Sequence, residues 1–178
     1  MSGIALADLI AIFDATFSME RTVLRAGFAE PEYIPWCENQ PAEIRFRADY
    51  FSSALHEIAH WCIAGRRRRQ LPDFGYWYAP DGRDAEQQAQ FEHVEVRPQA
   101  VEWHLHAACR RVFHLSFDNL GASTGDGRGF AVAVHGEALR LQRSLPPRAA
   151  RLVAALGGGH LKPTLAALGY PEAAHKGE

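Results

Sequence analysis

The sequence has few cysteines, little net charge and no long apolar run, and each shortage argues against a class of protein. The 178-residue chain has three cysteines. They are widely spaced with no C-x-x-C pair, which disfavours a disulfide framework and a thiolate zinc site. A formal net charge of −2 provides no general basic surface for direct nucleic-acid binding. No apolar run reaches the length of a membrane span. We therefore expect a cytoplasmic protein that binds neither membranes nor nucleic acid.

The length and composition predict one domain over residues 1–178. A chain of 178 residues that is 47% hydrophobic is long enough for one well-packed core and too short for two ordinary domains. No internal repeat or low-complexity linker divides it. The N-terminal stretch Ile4–Phe17 has apolar residues at helical spacing, carries two aspartates and follows no basic cluster. It predicts an amphipathic helix of the domain and not a signal peptide.

The most informative segment is the H-E-x-x-H motif formed by His56, Glu57 and His60. Residues four apart on a helix lie one turn apart on nearly the same face, so both imidazoles can point at one ion. Glu57 projects about 100° around the helix axis from His56, where it can hydrogen-bond a metal-bound water. Two imidazoles suit catalytic zinc, and with one added carboxylate they equally suit non-haem iron. The motif predicts a metal site and leaves the metal open.

The sequence around the motif predicts a helix over Asp49–Ala64. Asp49 can cap its start, and Gly65 followed by Arg66–Arg69 gives a stop signal with cations at the negative end of the helix dipole. A core-facing stripe is predicted at Phe51, Leu55, Ile58 and Cys62. Two ordinary histidines at the edge of a core are the alternative, but that reading explains neither the spacing of the histidines nor the adjacent Glu57.

The rest of the sequence predicts an α+β fold that is mainly helical with a small sheet near Phe74–Tyr78. A proline inside a helical pattern usually ends the helix, so Pro98 predicts two helices where the pattern would allow one. The further predicted elements are a short strand over Glu43–Phe46, a strand over Asp73–Tyr78, a helix from Asp84 to Arg97, and helices over Gln99–Phe113, Ala131–Ser144 and Arg148–Leu156.

A third metal ligand is expected from the acidic helix that follows the motif. Glu92 and Glu95 lie three apart on one helical face, so either can reach an ion held by the motif helix. Glu95 is favoured because Val94 and Val96 beside it indicate a buried setting, where an unpaired carboxylate would be costly. Glu92 is the alternate ligand, or it orients a ligand histidine. Both acids are otherwise ordinary solvated helix residues.

A second histidine-rich stretch contains Glu102, His104, His106 and His114. Glu102 and His106 have i, i+4 spacing, but His104 and His106 are two apart and point to different faces of a helix. The stretch is therefore interpreted as packing and surface polar residues.

The run Arg66–Arg69 is the strongest local charge. It is either the solvated end of the motif helix or a docking patch for an acidic partner. The aromatic segment Phe74–Tyr78 would add an apolar surface beside such a patch.

Several blocks of the sequence together resemble the bacterial elongation factor P hydroxylase family. They are the segment from His56 to Gly65, Asp73–Tyr78, Pro80–Asp84, Phe91–Val96 and Pro98–Ala100, and they cover roughly the middle third of the chain. The resemblance implies a non-haem iron monooxygenase that hydroxylates the β-lysyl-modified lysine of elongation factor P, an acidic translation factor.

For this chain the resemblance implies Fe(II) held by His56, His60 and a glutamate, most simply Glu95, with dioxygen as cosubstrate. Glu57 would then be a water-orienting or proton-transfer group. The docking patch Arg66–Arg69 would meet the acidic factor.

Two other functions are compatible with the residue pattern alone. One is a zinc metallopeptidase of the H-E-x-x-H type, with Glu57 as the general base. The other is a non-catalytic, metal-stabilised adaptor of a translation factor. Metal analysis, a peptidase assay and partner binding separate the three.

Overall fold

Helices form most of the computed structural model, which describes residues 3–75, 85–116 and 127–171. The described residues form a three-stranded sheet and five α-helices, as the α+β prediction requires. The strands are β1 (Thr22–Phe28), β2 (Glu32–Ile34) and β3 (Ala42–Arg47), and the helices are α1 (Leu6–Thr16), α2 (Phe51–Ile63), α3 (Ala85–Ala108), α4 (Arg128–Leu141) and α5 (Pro147–Ala155). None of the helices described here is both long and apolar enough to cross a bilayer.

The sheet has the order β1-β3-β2, with β3 parallel to β1 and antiparallel to β2. In the central strand β3, Ala42, Ile44 and Phe46 are buried while Glu43 and Arg45 between them are partly exposed. This alternation places one face of the strand on the core. The predicted strand Glu43–Phe46 is confirmed as part of β3.

The predicted strand over Asp73–Tyr78 is wrong for the residues described. Pro72–Gly75 form a short 3-10 turn, in which Asp73 and Phe74 have φ angles of 45° and 58°. Positive φ is incompatible with a strand. Phe74 is nevertheless buried and stacks on Tyr33 of β2 at 4.2 Å, so the aromatic pattern marks a segment that packs on the sheet. Residues 76–84 lie outside the described part of the chain.

The core joins α1, α2 and the sheet around Trp61. The Trp61 ring contacts the rings of Phe13 and Phe17, with centroid distances of 5.5 and 4.7 Å. On α2, Leu55, Ile58 and Cys62 of the predicted stripe are buried, and Phe51 is partly buried. The packing therefore fixes which face of α2 points away from the core.

The start of α2 differs from the prediction, because Tyr50 and not Asp49 occupies the N-cap position and no side chain caps it. Ala48 adopts a positive φ of 47°, and its backbone N–H and C=O bond Phe28 and Gly27 at the end of β1. This tight turn moves the start of the helix beyond Asp49.

Arginines bind the end of α2. The Ala64 carbonyl accepts hydrogen bonds from Arg69 Nη1 and Arg148 Nη2, both at 2.6 Å. Arg148 Nη2 also donates to the carbonyls of Trp61 and Cys62, at 2.9 and 3.0 Å, and the guanidinium lies 4.7 Å from the Trp61 ring centroid. Cations near the last carbonyls of a helix stabilise its end.

Pro98 does not divide the acidic helix from the following one, contrary to the prediction. Both predicted helices fall on the 24-residue helix α3, but α3 ends at Ala108, five residues before the predicted end at Phe113. Proline has no N–H and so omits the hydrogen bond to the Val94 carbonyl, but Pro98 is buried and α3 packs on both α2 and α4. This packing maintains the helix through the proline. The predicted final helices are confirmed to within one turn as α4 and α5.

Candidate metal centre

Helices α2 and α3 bring two histidines and one carboxylate together. The candidate ligand atoms of His56, His60 and Glu95 all lie within 4.8 Å of one another. His56 Nε2 is 3.2 Å from His60 Nε2. The Glu95 oxygens lie 3.3 Å from His60 Nε2 and 3.7 Å from His56 Nε2. The i, i+4 spacing on α2 thus points both rings at the same carboxylate on α3.

The donor set and its spacing fit a divalent metal ion. Bonds of about 2.0–2.2 Å to one ion place neighbouring ligand atoms roughly 3.0–3.5 Å apart, close to the separations found here. Glu95 is 2% exposed, and among the described residues its Oε2 atom is buried without a hydrogen-bond partner. A buried carboxylate oxygen without a donor is costly. A cation held between the three side chains would remove that cost.

Glu102 fixes the orientation of the His56 ring. Its Oε2 atom accepts a hydrogen bond from His56 Nδ1 at 2.9 Å, which leaves His56 Nε2 facing Glu95 and His60. Glu102 Oε1 is 3.4 Å from Nε2 of the buried His106. A carboxylate behind a ligand histidine sets its tautomer and raises its basicity. Glu102 therefore supports the site without facing it.

The buried charges of the centre shift its pKa values in opposite directions. Burial opposes the charged ring of His56, but the hydrogen bond and charge of Glu102, followed by the charges of Glu57 and Glu95, raise the pKa of His56 to about 10. Burial also opposes ionisation of Glu95 and Glu102, yet the neighbouring histidines lower the pKa of both carboxyls. Among the groups that lower these pKa values, His60 comes first for Glu95, and His106 and His56 both act on Glu102.

Glu57 has a different environment from the other two carboxylates. It is partly buried on α2, and burial raises the pKa of its carboxyl despite the opposing charges of His56 and His60. It is not a member of the candidate ligand group. A carboxyl of raised pKa beside a metal site has the properties of a proton donor and acceptor.

Comparison with known proteins identifies the family. The family model described as "Elongation factor P hydroxylase" matches residues 12–167. A protein of Haemophilus influenzae named "Elongation factor P lysine hydroxylase" is 47% identical over 154 residues, which are 85% of this chain and 86% of that protein. This chain belongs to the elongation factor P hydroxylase family. The resemblance inferred from the motif blocks is thus confirmed, and all three candidate ligands lie inside the matched region.

Within this hydroxylase family member, the structure groups the favoured third ligand with the histidines. Glu95 completes the candidate group, and the alternate Glu92 is partly buried one turn earlier and is not part of it. Glu95 is buried as expected, although Val94 beside it is exposed and Val96 is only partly buried. Metal binding by these residues remains a prediction.

The role of Glu102 is absent from the sequence-based interpretation, which treated its stretch as packing and surface polar residues. That interpretation suits His104, whose Nε2 atom lies 3.0 Å from the Ala138 carbonyl, and the exposed His114. It leaves out the contact made by Glu102, which is 4% exposed and accepts a hydrogen bond from His56. A usable signal was present: Glu95 and Glu102 are seven residues apart, which is two turns on one helical face. The predicted break at Pro98 concealed this spacing.

The predicted docking run Arg66–Arg69 divides into two parts. Arg66, Arg67 and Arg68 are exposed at the end of α2. Arg69 is partly buried and donates to the Ala64 carbonyl, and its own carbonyl accepts a hydrogen bond from the Tyr33 hydroxyl at 2.9 Å. Arg69 therefore has a structural role in joining the helix end to the sheet.

Proposed function

We propose that this chain is an iron-dependent monooxygenase that hydroxylates the β-lysyl-modified lysine of elongation factor P. The observation that carries the proposal is the grouping of His56, His60 and the buried, incompletely bonded Glu95 in a member of the elongation factor P hydroxylase family. Two imidazoles and one carboxylate on one face of an ion leave positions open, as in non-haem iron oxygenases.

The residues of the site have separable roles. His56, His60 and Glu95 would hold Fe(II), which when bound would activate dioxygen with an electron pair from an external reductant. Glu102 orients His56 by accepting a hydrogen bond from Nδ1. Glu57 holds or transfers a proton beside the site, as its raised pKa allows. Helices α2 and α3 bury the carboxylates and keep these side chains in place.

The proposal extends to the molecule as a whole. We expect residues 1–178 to form a single hydroxylase domain that acts in the cytoplasm, with a zincin-like metal helix in α2. We expect elongation factor P to be its partner, with no direct contact to nucleic acid or membrane. The exposed arginines of the run Arg66–Arg69 would meet this acidic factor and mainly increase the rate of encounter.

A zinc metallopeptidase remains the alternative with a structural argument behind it. The H-E-x-x-H helix and the raised pKa of Glu57 are also what a peptidase uses to activate a zinc-bound water. The family assignment favours hydroxylation. A non-catalytic, metal-stabilised adaptor has no separate observation in its favour.

Mass spectrometry of the factor tests the proposal. β-Lysyl-modified elongation factor P, incubated with the protein, ferrous iron, dioxygen and a reductant, should gain one oxygen atom on the modified lysine. The Glu95→Gln variant should give no gain, and peptides should stay intact. Peptide-bond hydrolysis restored by zinc, without oxygen incorporation, would establish the metallopeptidase instead. Binding of the factor with neither reaction would support the adaptor.

A further inference from the structure

A cleft of about 430 Å³ lies beside the metal centre, between the end of α2 and one face of α3. His60 forms part of its lining, so one end of the cleft meets the candidate ligand group. Arg67 and Arg68 line it from the α2 side, and His93 and Arg97 line it from α3. These two arginines of the α2 side and both residues from α3 are exposed, so the cleft is open to solvent.

The charged residues described in the lining of this cleft are basic. Among the described lining residues three are arginines and none is acidic, although the whole chain has a net charge of −2. Glu137 lies near Arg97, with 3.8 Å between Oε1 and Nε. However, both Glu137 oxygens also accept hydrogen bonds from Arg140, each at 2.6 Å. The Glu137 carboxylate is therefore shared between two guanidinium groups, and it neutralises Arg97 only in part.

Capping of α2 does not account for these arginines. Helix ends favour cations because their last carbonyls lack partners. Here Arg69 and Arg148 already donate to the terminal carbonyls, including that of Ala64. Arg67 lies beyond this capped end and lines the cleft instead. Its position suits recognition of an anion better than stabilisation of the helix.

We propose that this cleft binds a carboxylate side chain of the protein substrate, in a segment next to the lysine that enters the metal centre. The inference rests on the proposed function. Guanidinium groups are the preferred partners of carboxylates, and Ile63 and Val94 in the lining offer apolar contact to the methylene groups of an acidic side chain. The open cleft suits a segment of a folded protein, because small ligands are usually held in enclosed pockets.

Charge reversal at Arg67 provides the first test. Binding of modified elongation factor P to the metal-free protein is measured by calorimetry at low and high salt. Arg67→Glu should weaken binding by about tenfold at low salt, and the loss should shrink at high salt. Arg66→Glu, which changes the same charge outside the cleft lining, should lose much less. Lys162→Glu, an exposed charge change elsewhere, is the control and should bind like the wild type.

Measurements of turnover and metal content show whether a variant impairs docking of the factor or disturbs the metal centre. In Arg67→Glu the KM for the factor should rise while kcat and metal content stay near wild-type values. Arg97→Gln should change KM in the same direction. Each acidic residue of the factor near its target lysine is replaced by lysine in turn. One such replacement should weaken binding to the wild type, and the Arg67→Glu variant should partly restore binding to that altered factor. Such a charge-swap pair measures the interaction directly.

Three results would overturn the inference. Equal losses for Arg66→Glu and Arg67→Glu would mean that binding depends on diffuse charge. Absence of any restoring charge swap would exclude a specific carboxylate. An increased KM for an added 2-oxo acid, with unchanged binding of the factor, would make the cleft a cosubstrate site. A different result would contradict the proposed function alone: the wild type would bind the factor through Arg67 but add no oxygen to it.

Discussion

Replacing Glu102 by glutamine should change how the affinity for metal depends on pH. The variant keeps the shape of the buried side chain, but its amide loses the charge that faces His56 Nδ1 at 2.9 Å and His106 Nε2 at 3.4 Å. Removing a carboxylate behind a ligand histidine typically weakens metal binding 10–100-fold, which is about 1.4–2.7 kcal/mol. This full loss is expected only where protons do not compete with the metal.

Near neutral pH, protons compete with the metal for His56. This competition weakens metal binding more in the wild type than in the variant, which opposes the loss caused by removing the carboxylate. The pKa of His56 in the metal-free protein is raised to about 10, chiefly by Glu102 acting against burial. Below that pH a metal must displace the proton on Nε2, so wild-type affinity should rise by about tenfold per pH unit between pH 7 and 9. Without Glu102 the pKa of His56 falls toward its ordinary value, and the variant should show a shallower rise. The affinity ratio of wild type to variant should therefore grow with pH, by up to about 100-fold from pH 7 to pH 9.

Competition with a calibrated chelator measures this ratio, with manganese as a divalent probe that resists oxidation better than ferrous iron. Glu92→Gln is the matched control and should keep the wild-type slope. If Glu102→Gln weakens binding by the same factor at pH 7 and pH 9, Glu102 does not raise the pKa of His56. If it leaves binding unchanged at both, Glu102 does not orient a ligand.

His56→Ala and His60→Ala should each abolish metal retention, measured by plasma spectrometry, while circular dichroism shows a folded protein; unchanged metal in both would disprove the site. Glu95→Gln should lower metal content more than Glu92→Gln, and the reverse order would make Glu92 the third ligand. The metal-free wild type should lose about 1.4 kcal/mol of unfolding free energy per pH unit above pH 6.5. The reason is that His56 has a folded-state pKa above its unfolded value, so its stabilising contribution is complete below pH 6.5 and disappears toward pH 10; a flat profile in denaturant titrations from pH 7 to 9 would contradict this. Arg148→Met should cost about 2 kcal/mol and lower Tm by about 4–8 °C, whereas an unchanged Tm would show that the three carbonyl contacts at the end of α2 are dispensable.

Local helical periodicity was sufficient to predict those parts of the candidate site that lie on a single helix. The spacing of His56 and His60 is a property of a single helix, and the apolar neighbours of Glu95 indicated its burial. Glu102 was missed because its role depends on α3 continuing through Pro98. Whether a helix continues through a proline is decided by its packing on other elements, and α3 packs on α2 and α4.

The wrong prediction of a strand over Asp73–Tyr78 also arose from contacts that are distant in sequence. The aromatic residues after Pro72 have strand propensity, but Phe74 lies in a turn and reaches the sheet through its ring, 4.2 Å from that of Tyr33. Asp73 Oδ1 reinforces this contact by accepting a hydrogen bond from the Tyr33 backbone N–H at 2.8 Å. These partners are 40 residues apart in sequence, so no local window contains the signal.

The clamp formed by Arg148 has a consequence for the order of events during synthesis. Arg148 joins the end of α2 to α5 through carbonyls that lie 84 to 87 residues earlier in the chain. A nascent chain can display both motif histidines long before that guanidinium has been made. Domains fold as units once their distant contacts are available, so the metal helix would gain its final bonds only after α5 leaves the ribosome. A metal held by His56 and His60, as proposed, would therefore meet the fully bonded end of α2 only after α5 has been synthesised.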